Sequence, residues 1–332
     1  MSANITNTDN VFSVREPMWH GLGEILSDYP TREEAQKIAH PWNPVTEPLY
    51  RAVPIIGDAG PETQYVEVED AKAVIRDDND AYLGTISKTL EPVSNDEMYD
   101  IAEAVQSGGK DVKFETGGSL FGGKKVWLLL RLDQPINVKG DPNGTTLPYF
   151  ALQNDMSGSG AFKGQGVNTR IVCSNTSKMA DLDAEQYGTE FTFWHTANVH
   201  DRIEQAKEAL TGWRESVTGY NRLMEHLITV KVTKKQRELF VTEFVPMPVG
   251  NVISDRVVTN IEEARTAIRN ILASPTCEGV DLTAYGLVQS AIEYGQHVRR
   301  AQSAESRFKR AYLKRDRLAA DAKELALVAA HS

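Results

Sequence analysis

The chain has 332 residues, of which 41% are hydrophobic, 8% aromatic and 25% charged, and its formal net charge is −10. These values exclude wholesale disorder, a collagen-like or low-complexity architecture and a disulfide-stapled miniprotein, and the length suits two domains. No apolar run approaches the roughly 20 residues that span a bilayer. Met1–Asn10 is polar rather than signal-like, so the expected setting is the cytoplasm, with no membrane partner. The two cysteines, Cys173 and Cys277, make neither a disulfide framework nor a zinc spacing.

In chain order, Thr31 and Glu34 form a capping box that opens a short helix to His40. Leu49–Ile56, Gln64–Ile75 and Tyr82–Ser87 read as strands. Ser94 and Glu97 form a second capping box, opening a helix to about Gln106. Lys113–Leu120 and Lys124–Leu132 flank Phe121-Gly122-Gly123 as a β-hairpin. Leu147–Asn154 and Asn168–Ser174 are further strands, separated by the polar, glycine-rich stretch Asp155–Gly166, which reads as a loop, and Phe191–His195 ends the strand region.

After Asn198 the period becomes helical. Val199, Ile203, Ala206, Leu210, Trp213, Val217, Tyr220, Met224 and Leu227 form a heptad-like stripe over about 30 residues. That stripe suits either packing within a helical bundle or a self-association seam. Lys234–Phe244 is a shorter helix stopped by Pro246 and Pro248. A further helix is expected from Asn260, as N-cap, to Ala273. Leu282 to about Val328 is expected to be mostly helical. The pattern is therefore α+β: a mixed, mainly antiparallel sheet with flanking helices over residues 1–196, then a helical part over 197–332 with one long helix.

Charge is unevenly spread. Arg299–Arg317 carries eight basic residues, among them Arg307, Lys309 and Arg310, against Glu305 and Asp316. The segment is +6 and the rest of the chain −16. Lys163–Lys178 holds Lys163, Arg170 and Lys178 and no acid. Such cations contact phosphates, and a free aromatic such as Phe162 can stack on a base.

Gly118–Lys124 spells the first seven positions of a phosphate-binding loop, but Lys125 stands where that loop needs Ser or Thr, and strand formers follow where it needs a helix. A hairpin tip bearing Lys124 and Lys125 is the better reading. Cys173 with His195 as a thiol nucleophile pair has no local support, and no His, Cys or carboxylate cluster has metal-ligand spacing, so no cofactor is expected. Asp77–Asp80 lacks the glycine and terminal Glu of a calcium loop.

Trp19-His20-Gly21-Leu22-Gly23, the stretch from Tyr149 through Asn154–Ser159 to Arg170–Thr176, Trp194-His195-Thr196, and Thr283–His297 occur in an order that resembles a phage/plasmid-like protein family, the bacterial mobile-element domain of unknown function 932. Gln289 departs from it where Asn is the expected residue. The resemblance implies a mobile-element protein acting in a host cytoplasm and carries over no activity, cofactor or catalytic residue.

Three functions follow as expectations. The first is a nucleic-acid-binding protein, binding single-stranded DNA or annealing it, with Lys124, Lys125, Lys163, Arg170 and Lys178 on phosphates, Phe162 stacking, and the basic run with Arg307, Lys309 and Arg310 adding to it. In architecture and setting this loosely resembles annealing recombinases of the RecT and Redβ type. The second is a structural or regulatory interaction module that forms homo-oligomers through its long helices. The third is an enzyme using Cys173 or His195.

Overall fold

The computed structural model describes residues 10–14, 23–57, 60–107, 112–158, 160–170, 175–177, 190–193, 199–249, 253–300 and 318–332. It is α+β, as the sequence pattern indicates. The strands are β1 (Val11–Val14), β2 (Glu24–Leu26), β3 (Pro44–Gly57), β4 (Gly60–Arg76), β5 (Tyr82–Ser87), β6 (Val112–Leu120), β7 (Lys125–Leu132), β8 (Ile136–Asn137), β9 (Thr145–Asp155), β10 (Phe162–Arg170), β11 (Asn175–Ser177) and β12 (Glu190–Phe193). The helices are α1 (Arg32–Ala39), α2 (Asn95–Ser107), α3 (Val199–Thr229), α4 (Lys234–Phe244), α5 (Asp255–Leu272), α6 (Ala284–Glu293) and α7 (Leu318–His331).

Nine of these strands form one sheet in the order β11-β10-β9-β7-β6-β1-β2, with β12 on β10 and β8 on β9. Among the described strands only β1 and β2 pair in parallel. The remaining three form a separate sheet, β3-β4-β5. Both capping boxes close. Thr31 N–H donates to Glu34 at 2.9 Å and Ser94 N–H to Glu97 at 2.6 Å, while each cap hydroxyl accepts the N–H three residues on.

One face of the large sheet presents Val126, Leu128, Leu130, Phe150, Leu152 and Phe162. It packs with Met98, Ile101 and Val105 of α2 and with Ala206, Ala209 and Trp213 of α3. The stretch expected as a loop up to Gly166 is a strand from Phe162 onward. Its glycines hid that from the sequence, because glycine weakens a strand unless something must approach its backbone closely. A Cβ on Gly164 would lie 2.3 Å from the Phe191 ring, and one on Gly166 2.4 Å from Trp213. These glycines are what let two aromatic rings pack directly against the β10 backbone.

The long helix α3 runs about 46 Å at 1.5 Å per residue. The described part of its apolar stripe, from Ala206 to Leu227, is consumed inside the chain. Trp213 closes the sheet core, while Tyr220, Met224 and Leu227 close a second core with α4, α5, α6 and α7. Val217 touches both cores. Within the second core, α6 is buried from Ala284 to Ile292. The Tyr285 hydroxyl donates to buried Asp141 at 2.8 Å, fastening the helices to the turn after β8.

Helix α5 starts at Asp255, with Ser254 rather than Asn260 at its N-cap position. Its first turns are exposed, so no apolar periodicity marks where it begins. After α6 the chain passes through one π-helical turn, Tyr294–Val298, and leaves helical geometry at Arg299. Of the stretch expected to be mostly helical, Leu282 to about Val328, the described residues are helical over α6, this turn and α7, with Arg299 and Arg300 outside a helix. No helix among the described residues is long and apolar enough to cross a membrane.

Candidate nucleic-acid interface

The β6–β7 hairpin turns through Phe121, Gly122 and Gly123, with φ of 59°, 70° and 99°. This left-handed run suits glycine and makes a tight reversal rather than a helix start, which disposes of the phosphate-loop reading structurally. The tip is braced from below. A Cβ on Gly123 would meet Trp42 at 2.6 Å. The Arg76 guanidinium lies 4.3 Å above the Trp42 ring, donates to Gly122 O at 3.3 Å, and grips Asp78 through two bonds of 2.8 and 2.7 Å. The acidic run Asp77–Asp80 is thus the β4–β5 turn that anchors Arg76, and Asn43 N–H donates to Asp77.

Beneath the tip, the His40 ring is wholly buried. Its Nε2–H donates to Gly118 O at 2.8 Å, which leaves Nδ1 to accept from the Tyr99 hydroxyl at 3.0 Å. Burial, joined by the charge of Arg76, pushes the imidazole down to about 4; the Gly118 carbonyl opposes this only in part. The imidazole is therefore neutral at physiological pH.

Lys125 opens β7 directly opposite Asp155, the last residue of β9. Its ammonium reaches Asp155 Oδ2 at 2.7 Å. Asp155 also accepts from the Ser157 N–H and hydroxyl. Burial alone would raise the Asp155 carboxyl; the hydrogen bonds from Lys125 and Ser157 outweigh it and hold the group below the usual carboxylate range. The chain beyond β9 is fastened too. Asn154 donates to Val93 O at 2.7 Å and Met156 N–H to Lys124 O at 2.8 Å. Asn154–Ser157, part of the stretch that resembles the family, therefore joins β9 to the hairpin tip and to the start of α2.

Lys163 lies opposite Gln153, and Gln153 opposite Trp127. Paired residues share a face of the sheet, so Lys125, Asp155, Gln153 and Lys163 lie on one face at one end. Two strand spacings and two residues of rise put Lys163 about 12 Å from Lys125. Lys163 is exposed. The Lys124 ammonium sits 5.9 Å from the ring of Tyr82, which is 53% exposed.

Of the residues singled out from the sequence, the structure thus places Lys125 and Lys163 on one face at one end of the sheet, with Lys124 beside Lys125 in the hairpin turn and its ammonium toward Tyr82. Arg170 ends the same strand as Lys163, opposite Thr146 and about 23 Å away. Phe162 needs correction as a base-stacking ring. It is fully buried and stacks on Phe191 at 6.0 Å between centroids, because strand alternation turns it into the core while Lys163 faces out. Tyr82 is the exposed ring at this end, and it was missed because its place beside Lys124 depends on the β4–β5 turn. Lys178, Arg307, Lys309 and Arg310 lie outside the described residues, as do Cys173 and His195. Cys277 is buried. Among the described residues no group of three or more His, Cys, Asp or Glu is placed to hold a metal ion.

The fold is that of an α+β protein whose sheet carries a lysine-bearing end and whose helical second half shares its longest helix with the sheet. Residues 82–316 match the family described as domain of unknown function 932 (DUF932), more than half of the chain, and the protein belongs to that family. No curated protein and no solved structure matches it.

Proposed function

We propose that the protein binds single-stranded nucleic acid without sequence preference, as a mobile-element protein in a bacterial host cytoplasm, and that it can bring complementary strands together. The observation that carries this reading is the convergence of Lys124, Lys125 and Lys163, from a turn and two separate strands, on one end of a sheet in a chain of net charge −10. Ammonium groups and the Gln153 amide suit phosphate oxygens, which position a strand without reading its sequence. Tyr82 offers the stacking surface that Phe162 does not. Asp155 holds Lys125 in place in the free protein, and a phosphate would take over part of that bond.

The test is fluorescence anisotropy of a labelled single-stranded oligonucleotide over a series of salt concentrations, with duplex for comparison. Three lysine contacts give a slope of log K against log salt of about −2. The charge reversals Lys124→Glu and Lys163→Glu should abolish binding at moderate salt. Absence of binding even at low salt contradicts the proposal. A second reading, a protein-interaction module, draws on a different part of the molecule.

A further inference from the structure

Strands β3 and β4 pair continuously from Pro44–Arg76 to Gly57–Gly60, but β5 joins them only along Ala71–Ile75. Beyond that, residues 48–70 are a two-stranded arm. A lone two-stranded ribbon is marginally stable in water.

The register divides the arm into two faces. One carries Tyr50, Ala52, Pro54 and Ile56 from β3, opposite Glu67, Tyr65, Thr63 and Pro61 of β4. All eight are exposed, Ile56 at 93%, Tyr65 at 70% and Tyr50 at 54%. This is a nearly continuous apolar ribbon held out in solvent, the kind of surface that marks an interaction site. The other face is mixed, with Arg51, Ile55, Gln64 and Glu62 exposed beside half-buried Val53 and Val66. Pro44, Pro48 and Pro54 lie in β3, whose outer edge has no strand partner among the described residues. Proline there blocks edge pairing, so the face, not the edge, is the contact surface.

We infer that this ribbon is a homotypic docking surface: a second copy of the chain seats its own ribbon on it, face to face, with the two arms antiparallel. One general argument and two observations select that occupant. A two-fold contact uses one patch twice and needs no other complementary surface. The acid on this face, Glu67, lies toward the base of the arm, and the antiparallel arrangement sets it against the uncharged Ile56 and Pro61 near the other tip. Covering two tyrosines, an isoleucine and two prolines on each copy removes on the order of 1,000 Å² in total, where specific interfaces begin. The inference is independent of nucleic-acid binding, which uses the opposite charge sign. Residues 48–70 hold five acids and one base, so two arms repel at long range and their association strengthens as salt rises.

Sedimentation velocity of the full chain across concentration, at low and at high salt, tests this. The wild type should dimerise, and more tightly at high salt. The double variant Ile56→Asp, Tyr65→Asp should weaken the dimer by about tenfold or more. Thr63→Glu should also weaken it, since it adds an acid to a contact between two arms that are already acidic. Circular dichroism checks that both variants keep the fold, as substitution of exposed residues allows. A wild type that stays monomeric at every concentration overturns the inference, and so does a folded variant that associates as the wild type does.

Discussion

Two hairpins of this molecule follow the same local rule and end in opposite states. The β6–β7 hairpin turns on Phe121–Gly123 and is gripped by Trp42 and Arg76, with His40 and Tyr99 packed beneath Gly118. The β3–β4 arm turns between Gly57 and Gly60 and carries its apolar side chains outward. Strand propensity and a glycine turn make a hairpin; what packs against its faces decides whether it is a rigid platform for side chains or an exposed arm. The first suits the presentation of Lys124 and Lys125 in fixed places. The second suits a contact completed by another molecule.

The sharpest contrast between braced and open regions is energetic. Trp213, wholly buried beside Gly166, should lose about 3–5 kcal/mol on substitution to Ala, read as a lower urea midpoint. Next comes the neutral His40 beneath the tip. Its folded pKa of about 4 lies below the ordinary value of 6.5. The unfolded chain therefore binds more protons between those values, and stability falls as pH drops from about 6.5 toward 4, by about 3 kcal/mol. His40→Gln should flatten that part of the stability–pH curve even if it lowers stability overall. Arg76→Ala removes the Trp42 stack, the bond to Gly122 and the partner of part-exposed Asp78, and should cost about 2 kcal/mol in the same urea assay. At the other extreme, Ile56→Ala in the arm should change monomer stability by no more than about 0.5 kcal/mol. An arm substitution as costly as the Arg76 one would erase the contrast.

Much of the fold is legible in the sequence because its signals are local. Thr31 with Glu34 and Ser94 with Glu97 announce their helices through hydrogen bonds within four residues. Phe121–Gly123 announces its turn through the conformations glycine allows. The missed features depend on distant partners. The first half of strand β10 reads as a loop because Gly164 and Gly166 are shaped for Phe191 and Trp213, far along the chain. The start of α5 is hidden because its first turns touch little. In the candidate site, the lysines are visible as residues, but their convergence, the bond from Lys125 to Asp155 and the proximity of Tyr82 come only from strand register and turn geometry. Phe162 shows the same limit: a one-residue alternation separates an exposed lysine from a core aromatic.

The most direct test of the central claim puts the two regions in one experiment. Single-stranded oligonucleotide anisotropy is measured for the wild type, for the Lys124→Glu, Lys163→Glu variant and for the Ile56→Asp, Tyr65→Asp variant, each checked for folding. The expected result is salt-sensitive binding by the wild type, loss of binding in the lysine variant and retained binding in the arm variant. Wild-type binding that survives reversal of both lysines would contradict the assignment of nucleic-acid contact to this end of the sheet.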